Sequence, residues 1–254
     1  MITIPQVAAY LDAVTLKNVK EENAEIFQST CILALVGNGI KTQPWPREFD
    51  YNLEFFAGDS PPVNVGESVR AYLRDGYREH TIQIFSNKLH QLIPFYRSLG
   101  YQHAWSNFLM EKKLQRKDIQ PLAPGIKIVP IESAEDVDLA NRIEPDYPCV
   151  NGSLNDPAIY NLIAFYSDQV CAKGQMIITE KKYAVVMDIF THPNFRRKGI
   201  STALMHTFHH KALNLGCKTS LLMPSRMTRE IDIFQKLNYQ NLIEAALFVP
   251  DRPE

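Results

Sequence analysis

Residues 192–204 read HPNFRRKGISTAL, and this stretch decides the fold of the chain. It follows an apolar, β-branched run at 183–191 and opens into strong helix formers that end near residues 215–216. The pattern predicts a strand, a tight basic turn and a helix. The N-terminus of a helix presents unpaired N–H groups and a partial positive charge, both of which suit phosphate oxygens. The stretch therefore predicts a phosphate-binding loop.

A glycine and three basic side chains equip this loop for a phosphorylated ligand. Gly199 lets the backbone approach a ligand closely, and the basic residues 196–198 add positive charge. Ser201 or Thr202 is expected to cap the helix. A Walker loop and a Rossmann loop are both excluded, because each needs further glycines at spacings that are absent here. A surface turn that caps an ordinary helix is the alternative interpretation.

The spacing of this loop resembles the pyrophosphate loop of the GNAT superfamily of N-acetyltransferases. That loop reads Arg/Gln-x-x-Gly-x-Gly/Ala after a strand, with a proline three residues upstream. Here Arg196, Gly199 and Ser201 stand at these positions, and Pro193 precedes them. Ser201 replaces the usual Gly or Ala, which is a change between small residues. The resemblance implies acetyl-CoA as co-substrate, bound by Ile189, Phe190, Thr191, Arg196, Arg197, Lys198, Gly199, Ile200, Ser201, Thr202 and Phe234.

The composition of the 254 residues is typical of a globular chain with room for two domains. Hydrophobic residues make up 45%, and the net charge is -1. Binders of nucleic acid or of anionic membranes are usually more basic, so neither partner is expected. The four cysteines lack Cys-x-x-Cys spacing and the N-terminus lacks the regions of a signal peptide. These features predict a cytoplasmic protein.

The order of predicted elements indicates two halves joined by a linker. Residues 112–125 are polar and carry two prolines. We expect an N-terminal domain at 1–115, a linker at 116–125 and an acetyltransferase domain at 126–254. The elements of this last domain follow the order of a GNAT domain. The resemblance implies an α/β (α+β) fold, with a mixed, mostly antiparallel central sheet flanked by helices.

A repeat relates the two halves of the sequence. Residues 76–101 align with residues 216–239, so that Tyr96 matches Phe234. The segment 95–101 is similar to the Leu-Tyr-x-x-x-Gly-Phe ending of a GNAT helix. The N-terminal half therefore resembles a smaller, degenerate GNAT-type unit. An unrelated α/β domain with a chance likeness is the alternative.

The strand-to-helix link of the N-terminal half lacks the features of a phosphate loop. Asp59 and Glu67 stand in a link where Arg and Gly would be needed. Their negative charges would repel pyrophosphate. We therefore expect one acetyl-CoA site per chain, in the C-terminal half.

The chemistry that the resemblance implies is direct attack of an amine on the thioester carbonyl. Positioning and polarisation of that carbonyl supply most of the catalysis. Asp188 is the carboxylate within the strand before the loop, so it is the candidate general base. An aspartate that pairs with a cation or faces solvent is the alternative. The family often supplies a tyrosine as acid for the leaving thiolate, and Phe234 stands at that position.

Other polar residues have less specific interpretations. Glu144, Asp146 and Tyr147 lie in the loop that lines the acceptor pocket of GNAT proteins, and a structural turn is the alternative. The helix residues 206–210 include three histidines, which we place away from its apolar face. Because no carboxylate or cysteine neighbours them, no metal is expected.

These residues together predict an acyltransferase that moves an acetyl group from acetyl-CoA to an amine of a small molecule or peptide. An acyl-CoA-binding protein with weak or lost catalysis is the alternative, on account of Phe234. A longer acyl chain stays open as a third interpretation. The sequence does not identify the acceptor, and it is compatible with a homo-oligomer.

Overall fold

The computed structural model describes residues 4–42, 50–73, 80–116, 121–145, 149, 151–224 and 231–251. The chain divides into two compact units. Unit 1 comprises Met1–Leu109 and Asn241–Glu254, and unit 2 comprises Met110–Gln240.

Unit 1 is built from helices and strands of the N-terminal half and from the last strand of the chain. Its elements are α1 (Pro5–Glu22), β1 (Glu25–Gln28), β2 (Ile32–Thr42), β3 (Asp50–Ala57), α2 (Pro62–Tyr72), β4 (Thr81–Phe85), α3 (Leu89–Ser98), most of β5 (Tyr101–Lys113) and β11 (Gln240–Pro250). β1 pairs with β2, β2 with β3 and β4 with β11, all antiparallel. β3 and β4 form a parallel pair joined by α2.

The core of unit 1 lies between this sheet and helices α2 and α3. It includes Phe55, Ile82, Ile84, Tyr96 and Phe248, each fully buried. The ring of Tyr96 stacks on that of Phe248, with centroids 4.6 Å apart. α1 packs on the opposite face of the sheet, where the ring of Tyr10 contacts that of Phe85 edge-on.

Unit 2 begins with the last four residues of β5 and contains the elements that follow. These are β6 (Ile126–Pro130), α4 (Ala134–Ile143), β7 (Ile159–Tyr166), β8 (Gln169–Ile178), β9 (Tyr183–Thr191), α5 (Ile200–Asn214), β10 (Thr219–Leu222) and α6 (Ile231–Lys236). The sheet order is β5-β10-β9-β8-β7-β6. Only β9 and β10 are parallel within the described part of this sheet, and α5 joins them.

Local sequence signals explain several elements of unit 2. The Ser167–Asp168 pair joins β7 to β8, and both residues have positive φ, as a two-residue hairpin turn requires. Ser133 and Asp136 form a reciprocal capping box at the start of α4. The hydrogen bond from the Ser133 side chain, together with bonds from backbone N–H groups, lowers the pKa of the Asp136 carboxyl. The ionised form of the Asp136 carboxyl, which accepts the hydrogen bonds of the capping box, is therefore stabilised.

The two faces of the unit 2 sheet carry separate apolar clusters. α5 covers one cluster through Ile200, Ala203 and Leu204, which pack against Ala164 and Ala172 of the sheet. α4 covers the other face through Val137 and Ala140, which pack against Ile131 and Ile163. Each helix therefore covers one face of the sheet that contains β9.

The structure differs from the sequence at five single elements. The sequence predicts that a strand at 31–36 ends at the glycines of residues 37–39 and that a helix begins at Gly66. In the structure β2 continues through residues 37–39, and β1 had no predicted counterpart. α2 begins at Pro62, because a proline is well accommodated in the first turn of a helix. β5 extends to Lys113, into the polar stretch that predicted a linker from residue 112. The last strand pairs with β4 of unit 1, whereas the sequence predicted that it completes the C-terminal half.

Candidate active site

The loop between β9 and α5 has the backbone of a phosphate-binding turn. After β9 ends at Thr191, residues 193–195 form one short helical turn. Gly199 is the N-cap of α5 with φ +78°, a left-handed conformation that an L side chain rarely adopts. Among the described residues other than Gly199 and its two chain neighbours, no heavy atom lies within 4 Å of the place where a Cβ on Gly199 would stand. The first N–H groups of α5 begin directly after this open glycine.

Side-chain contacts brace the loop against the end of β9. The Arg196 Nε donates to the Thr191 carbonyl at 3.1 Å, and the guanidinium remains exposed. The Ser201 and Thr191 hydroxyls are 2.8 Å apart. The expected capping of α5 by Ser201 or Thr202 is therefore wrong, because Gly199 is the N-cap and Ser201 bonds to the strand.

Lys198 belongs to the same loop, and Cys171 of β8 contacts the start of the loop. The Lys198 Nζ stands 4.4 Å from the centre of the Tyr166 ring and 5.4 Å from that of Phe195. The Cys171 carbonyl accepts from the His192 N–H. Burial raises the pKa of the Cys171 thiol to about 11, against the lowering effect of Lys198. This thiol is therefore protonated at neutral pH and is not a nucleophile.

A β-bulge interrupts β9 at the candidate base. Lys173 pairs with Phe190 and Gln175 pairs with Met187, so β9 holds one residue more than β8 between these pairs. Asp188 takes φ +50° within this bulge. A bulge leaves backbone groups outside the ladder and redirects side chains. The structure therefore places an aspartate at the point where the ladder between β8 and β9 is irregular.

Gly174 of β8 makes room for the bulge. A Cβ at this position would stand 2.6 Å from Ile189 Cδ1 and 3.1 Å from Phe208 Cε2. Ile189 therefore points to the α5 face, while Asp188 lines a cleft on the α4 face. Asp188 and Ile189 therefore lie on opposite faces of the sheet.

The parallel pair of β9 and β10 opens towards the phosphate loop. Its described pairs run from Tyr183 and Thr219 to Val186 and Leu222. β9 continues to Thr191, whereas β10 ends at Leu222. Within the described residues, the ladder between β9 and β10 therefore ends at Val186, before β9 itself ends. An extended ligand can bond to such an edge as an added strand does.

A small polar cleft adjoins the bulge on the α4 face. Its lining includes Cys149, Asn161, Lys173, Gln175 and Asp188. The Gln175 Nε2 donates to Asn161 Oδ1 at 2.9 Å, and the Asn161 Nδ2 donates to Ser153 Oγ at 3.0 Å. This chain of hydrogen bonds fixes the orientation of both carboxamides.

Two side chains hold the loop after α4 at the edge of this cleft. The Lys173 Nζ donates to the carbonyl of Glu144, the C-cap of α4, at 3.0 Å. Asn141 accepts from the Cys149 N–H at 2.7 Å and donates to the Cys149 carbonyl at 2.9 Å. Glu144 is thus placed through its backbone. Asp146 and Tyr147, the other predicted residues of this loop, lie outside the described residues.

Phe234 and two of the three histidines of α5 belong to the interior of unit 2. Phe234 is 5% exposed, and its ring centre lies 6.1 Å from that of Tyr239. The prediction that the α5 histidines lie away from its apolar face is wrong for His206 and His209, which are buried, while His210 is exposed. The Tyr239 hydroxyl lies 2.8 Å from His209 Nε2 and 2.6 Å from Ser220 Oγ. Within the described part of the chain, no group of three His, Cys, Asp or Glu side chains is placed to hold a metal ion.

Unit 1 repeats the strand–helix–strand pattern without the open strand end. β3 pairs with β4 up to its last residue, Ala57, which lies opposite Ile84. The buried Ser86 donates its hydroxyl to Asp59 Oδ1, so the loop after β4 is bonded to the loop after β3. The N-cap of α2 is Pro61, which has no backbone N–H to offer. In unit 1 these features therefore occupy the positions that correspond to the bulge and the phosphate loop of unit 2.

Several site residues escaped the sequence analysis. Asn161, Lys173 and Gln175 line the cleft, and Asn141 holds the backbone of Cys149 at its edge. The sequence contains one signal that could have identified Lys173 and Gln175 as site residues. They are polar residues at alternate positions of an otherwise apolar strand. In β8 they fall on one face, and both are buried.

Comparison with known proteins identifies the fold. Residues 128–239 match the family model of the acetyltransferase (GNAT) family. A GCN5-related N-acetyltransferase from Kribbella flavida is 15% identical, with a TM-score of 0.71 over 97% of this chain and 96% of that chain. A tandem GNAT protein from the clavulanic acid biosynthesis pathway is 10% identical, with a TM-score of 0.57 over 88% of this chain and 79% of that chain. The resemblance to the GNAT superfamily and the predicted α/β fold are confirmed.

Two further comparisons complete this result. A functionally unknown conserved protein from Staphylococcus epidermidis is 13% identical, with a TM-score of 0.63 over 96% of this chain and 100% of that chain. No curated protein matches the sequence. No helix among the described residues is both long and apolar enough to traverse a lipid bilayer.

Proposed function

We propose that this chain, whose residues 128–239 form a domain of the GNAT acetyltransferase family, transfers an acetyl group from acetyl-CoA to an amine of a small molecule or peptide. One observation carries the proposal. In unit 2 the Asp188 bulge, the end of β9 and the Gly199 loop follow one another within twelve residues, 188–199. An acyl-CoA needs these three features in this order, for its thioester, pantetheine arm and pyrophosphate respectively.

The residues proposed to bind acetyl-CoA divide into three groups. The backbone of Ile189, Phe190 and Thr191 would receive the pantetheine arm along the open edge of β9. The first amides of α5, at Ile200, Ser201 and Thr202, would receive the pyrophosphate, with positive charge from residues 196–198. Phe234 would supply apolar contact. These contacts hold the thioester beside the bulge, and positioning of this kind accounts for much of catalysis by such sites.

The proposed chemical step uses Asp188 as the base. The incoming ammonium gives one proton to the Asp188 carboxylate, and the amine nitrogen then forms a bond to the thioester carbonyl carbon. The nitrogen releases its second proton to solvent and the C–S bond breaks. The leaving CoA thiolate takes a proton from solvent, because Phe234 has no hydroxyl to donate. A backbone N–H group at the bulge would stabilise the negative charge that develops on the carbonyl oxygen.

We assign one acetyl-CoA site to each chain. Unit 1 lacks an open strand end, has a proline at the start of α2, and presents the Asp59 carboxylate where phosphate would have to approach. An anion at this position opposes a second anion. This supports the interpretation of unit 1 as a degenerate GNAT-type unit that binds no acyl-CoA.

The second candidate function is an acyl-CoA-binding protein with weak or lost catalysis, and Phe234 favours it. The two functions differ in whether an amine releases CoA. The test incubates the purified chain and its Phe234→Tyr variant with acetyl-CoA and a panel of primary amines, and measures free CoA thiol. Thiol release that depends on one class of amine supports transfer. Tight binding of acetyl-CoA without release by either protein supports the binding function and contradicts transfer.

Three expectations from the sequence stay predictions. They are the cytoplasmic location, the division into domains at 1–115 and 126–254, and the absence of nucleic-acid and membrane partners. A homo-oligomer remains compatible with the proposal. The longer acyl chain is tested by comparing acetyl-CoA with longer acyl-CoAs in the same thiol assay.

A further inference from the structure

We propose that Tyr166 is a positioning residue for acyl-CoA, because its ring holds the Lys198 ammonium beside the first turn of α5, where the pyrophosphate would bind. The inference rests on the proposed function and deepens it, since it names a residue outside the loop that prepares the loop for its ligand. It follows from the contacts that join Lys198, Tyr166 and Phe195.

Two aromatic rings hold the Lys198 side chain in one place. Its Nζ lies 4.4 Å from the centre of the Tyr166 ring and 5.4 Å from that of Phe195. The two ring centres are 6.4 Å apart, so one ammonium lies close to both rings. A cation within about 6 Å of a ring centre is attracted by the negative face of the π system. These contacts localise a side chain that is otherwise exposed.

The two rings lie on the apolar cluster at the start of α5. Tyr166 and Phe195 pack against the cluster that contains Ile200 and Ala203, both from the first turn of this helix. The ammonium over these rings is therefore beside the same turn. The unpaired N–H groups and the partial positive charge of a first turn suit phosphate oxygens. The charge of Lys198 adds to this field.

The sheet fixes the position of Tyr166. Tyr166 is the last residue of β7, and it pairs with Ile126 of β6 on one side and with Gln169 of β8 on the other. Its side chain is half-buried. Tyr166 thus belongs to a rigid element and not to the loop, so its ring gives the loop lysine a fixed partner.

The ammonium of Lys198 can still bind an anion while it contacts the rings. A cation–π contact depends on the charge of the ammonium, which has three N–H donors. Among the residues that the structure describes, Lys198 makes no hydrogen bond or ion pair that would compete with a phosphate. An N–H donor directed away from the rings is therefore available to a pyrophosphate oxygen.

Placement of Lys198 before the ligand arrives lowers the cost of binding. A freely rotating lysine loses side-chain entropy when its ammonium is fixed on an anion. A lysine that the rings already hold has lost part of that entropy, so more of its attraction to phosphate contributes to affinity. Tyr166 therefore raises the affinity for acyl-CoA only through Lys198.

The test is a double-mutant cycle on the full chain, in which calorimetric titration measures the affinity for acetyl-CoA. We expect Lys198→Met to weaken binding about tenfold, as for one hydrogen bond to a charged group. Tyr166→Leu should weaken binding about two- to fivefold, which corresponds to a cation–π contact at an exposed site. In the Lys198→Met background, Tyr166→Leu should leave the affinity unchanged.

Further variants separate the face of the ring from the fold. Tyr166→Phe keeps the aromatic face and should bind acetyl-CoA as the wild type does. Arg197 provides the matched control cycle, because it is the neighbouring exposed cation and makes no ring contact among the described residues. The effects of Tyr166→Leu and Arg197→Met should be independent of each other. If Tyr166→Leu does not fold, Phe195→Leu takes its place in the cycle with Lys198→Met, with the same expectation.

The outcomes separate this inference from the function on which it rests. An effect of Tyr166→Leu that is equally large with and without Lys198 would reduce the ring to a structural role and overturn the inference. Tighter binding by Tyr166→Leu would show that the rings hold the ammonium away from the phosphate, which also overturns it. Both results leave the proposed function intact, since the wild type still binds acetyl-CoA. No binding by the wild type contradicts the proposed function itself, and the inference then fails too.

Discussion

At the scale of single residues, Gly199 offers a test in which charge is the main variable. Gly199→Asp should abolish binding of acetyl-CoA, because it puts a carboxylate at the proposed pyrophosphate site. Gly199→Asn is the control, since asparagine is nearly the same size and tolerates positive φ. We expect the Asn variant to bind at least about tenfold more tightly than the Asp variant in a calorimetric titration. Equal affinities of the two variants would show that phosphate does not lie there.

Asp188 can be tested without a change in backbone conformation. Asparagine also adopts positive φ readily, so Asp188→Asn should keep the bulge. We expect kcat to fall by about 10²–10⁴-fold, the usual contribution of a general base, with unchanged affinity for acetyl-CoA. The measurement is steady-state thiol release alongside a binding titration. Undiminished turnover by this variant would remove Asp188 from the chemistry.

The residues of the loop were predictable because their spacing is local. Arg196 and Gly199 are three positions apart, and no distant contact is needed to recognise them. The sequence marks Lys173 as a polar residue within an apolar strand, but it does not identify its partner, because the ammonium donates to the Glu144 carbonyl, 29 positions earlier. The bulge at Asp188 escaped for the same reason, since it depends on Gly174 of the neighbouring strand.

At the scale of elements, Tyr239 links α5, β10 and the start of β11. Its hydroxyl lies within hydrogen-bond distance of His209 and Ser220, and all three residues are buried. Tyr239→Phe should lower the free energy of unfolding by about 1–3 kcal/mol, because it removes a partner from each buried group. Urea denaturation followed by circular dichroism measures the change. Tyr160→Phe, whose hydroxyl bonds to Pro157 in an exposed setting, should cost less; a larger loss there would contradict the role of this network.

Elements with strong local signals were predicted closely. The sequence predicts a strand at 81–85 and a helix at 134–143, which are the bounds of β4 and α4, and β9 runs from Tyr183 to Thr191 as expected. α4 carries a capping box, and β4 is a continuous apolar-rich run between polar segments. β1 escaped because it is only four residues long and exposed, so its periodicity is weak. His206 and His209 were misplaced because their burial depends on partners outside α5, such as Tyr239.

At the scale of the whole molecule, the sequence predicted two α/β halves but not which strand completes each sheet. The last four residues of β5 pair with β10, and β11 pairs with β4. Each strand thus pairs with residues that are distant along the chain. The end of β5 pairs with residues 219–222, and β11 pairs with residues 82–85. Secondary-structure propensity and residue spacing do not predict such pairings, because the pairings depend on contacts between residues far apart in the sequence.

These pairings predict how fragments of the chain behave. A fragment of residues 116–254 lacks the β5 partner of β10 and the β4 partner of β11. A fragment of residues 110–240 keeps the end of β5 and omits β11. We expect the 110–240 fragment to unfold at the higher urea concentration and with the steeper transition. A more stable 116–254 fragment would favour the domain boundaries predicted from the sequence and contradict the assignment of these strands.

The central claim is that one acyl-CoA site, in unit 2, serves the whole chain. Calorimetric titration of acetyl-CoA into the purified full chain tests it most directly, with Arg196→Glu as the control. Arg196 is exposed, so its substitution should leave the fold intact. We predict one acetyl-CoA bound per chain and loss of this binding in the variant. Two molecules per chain, no binding to the wild type, or wild-type affinity in Arg196→Glu would each contradict the claim.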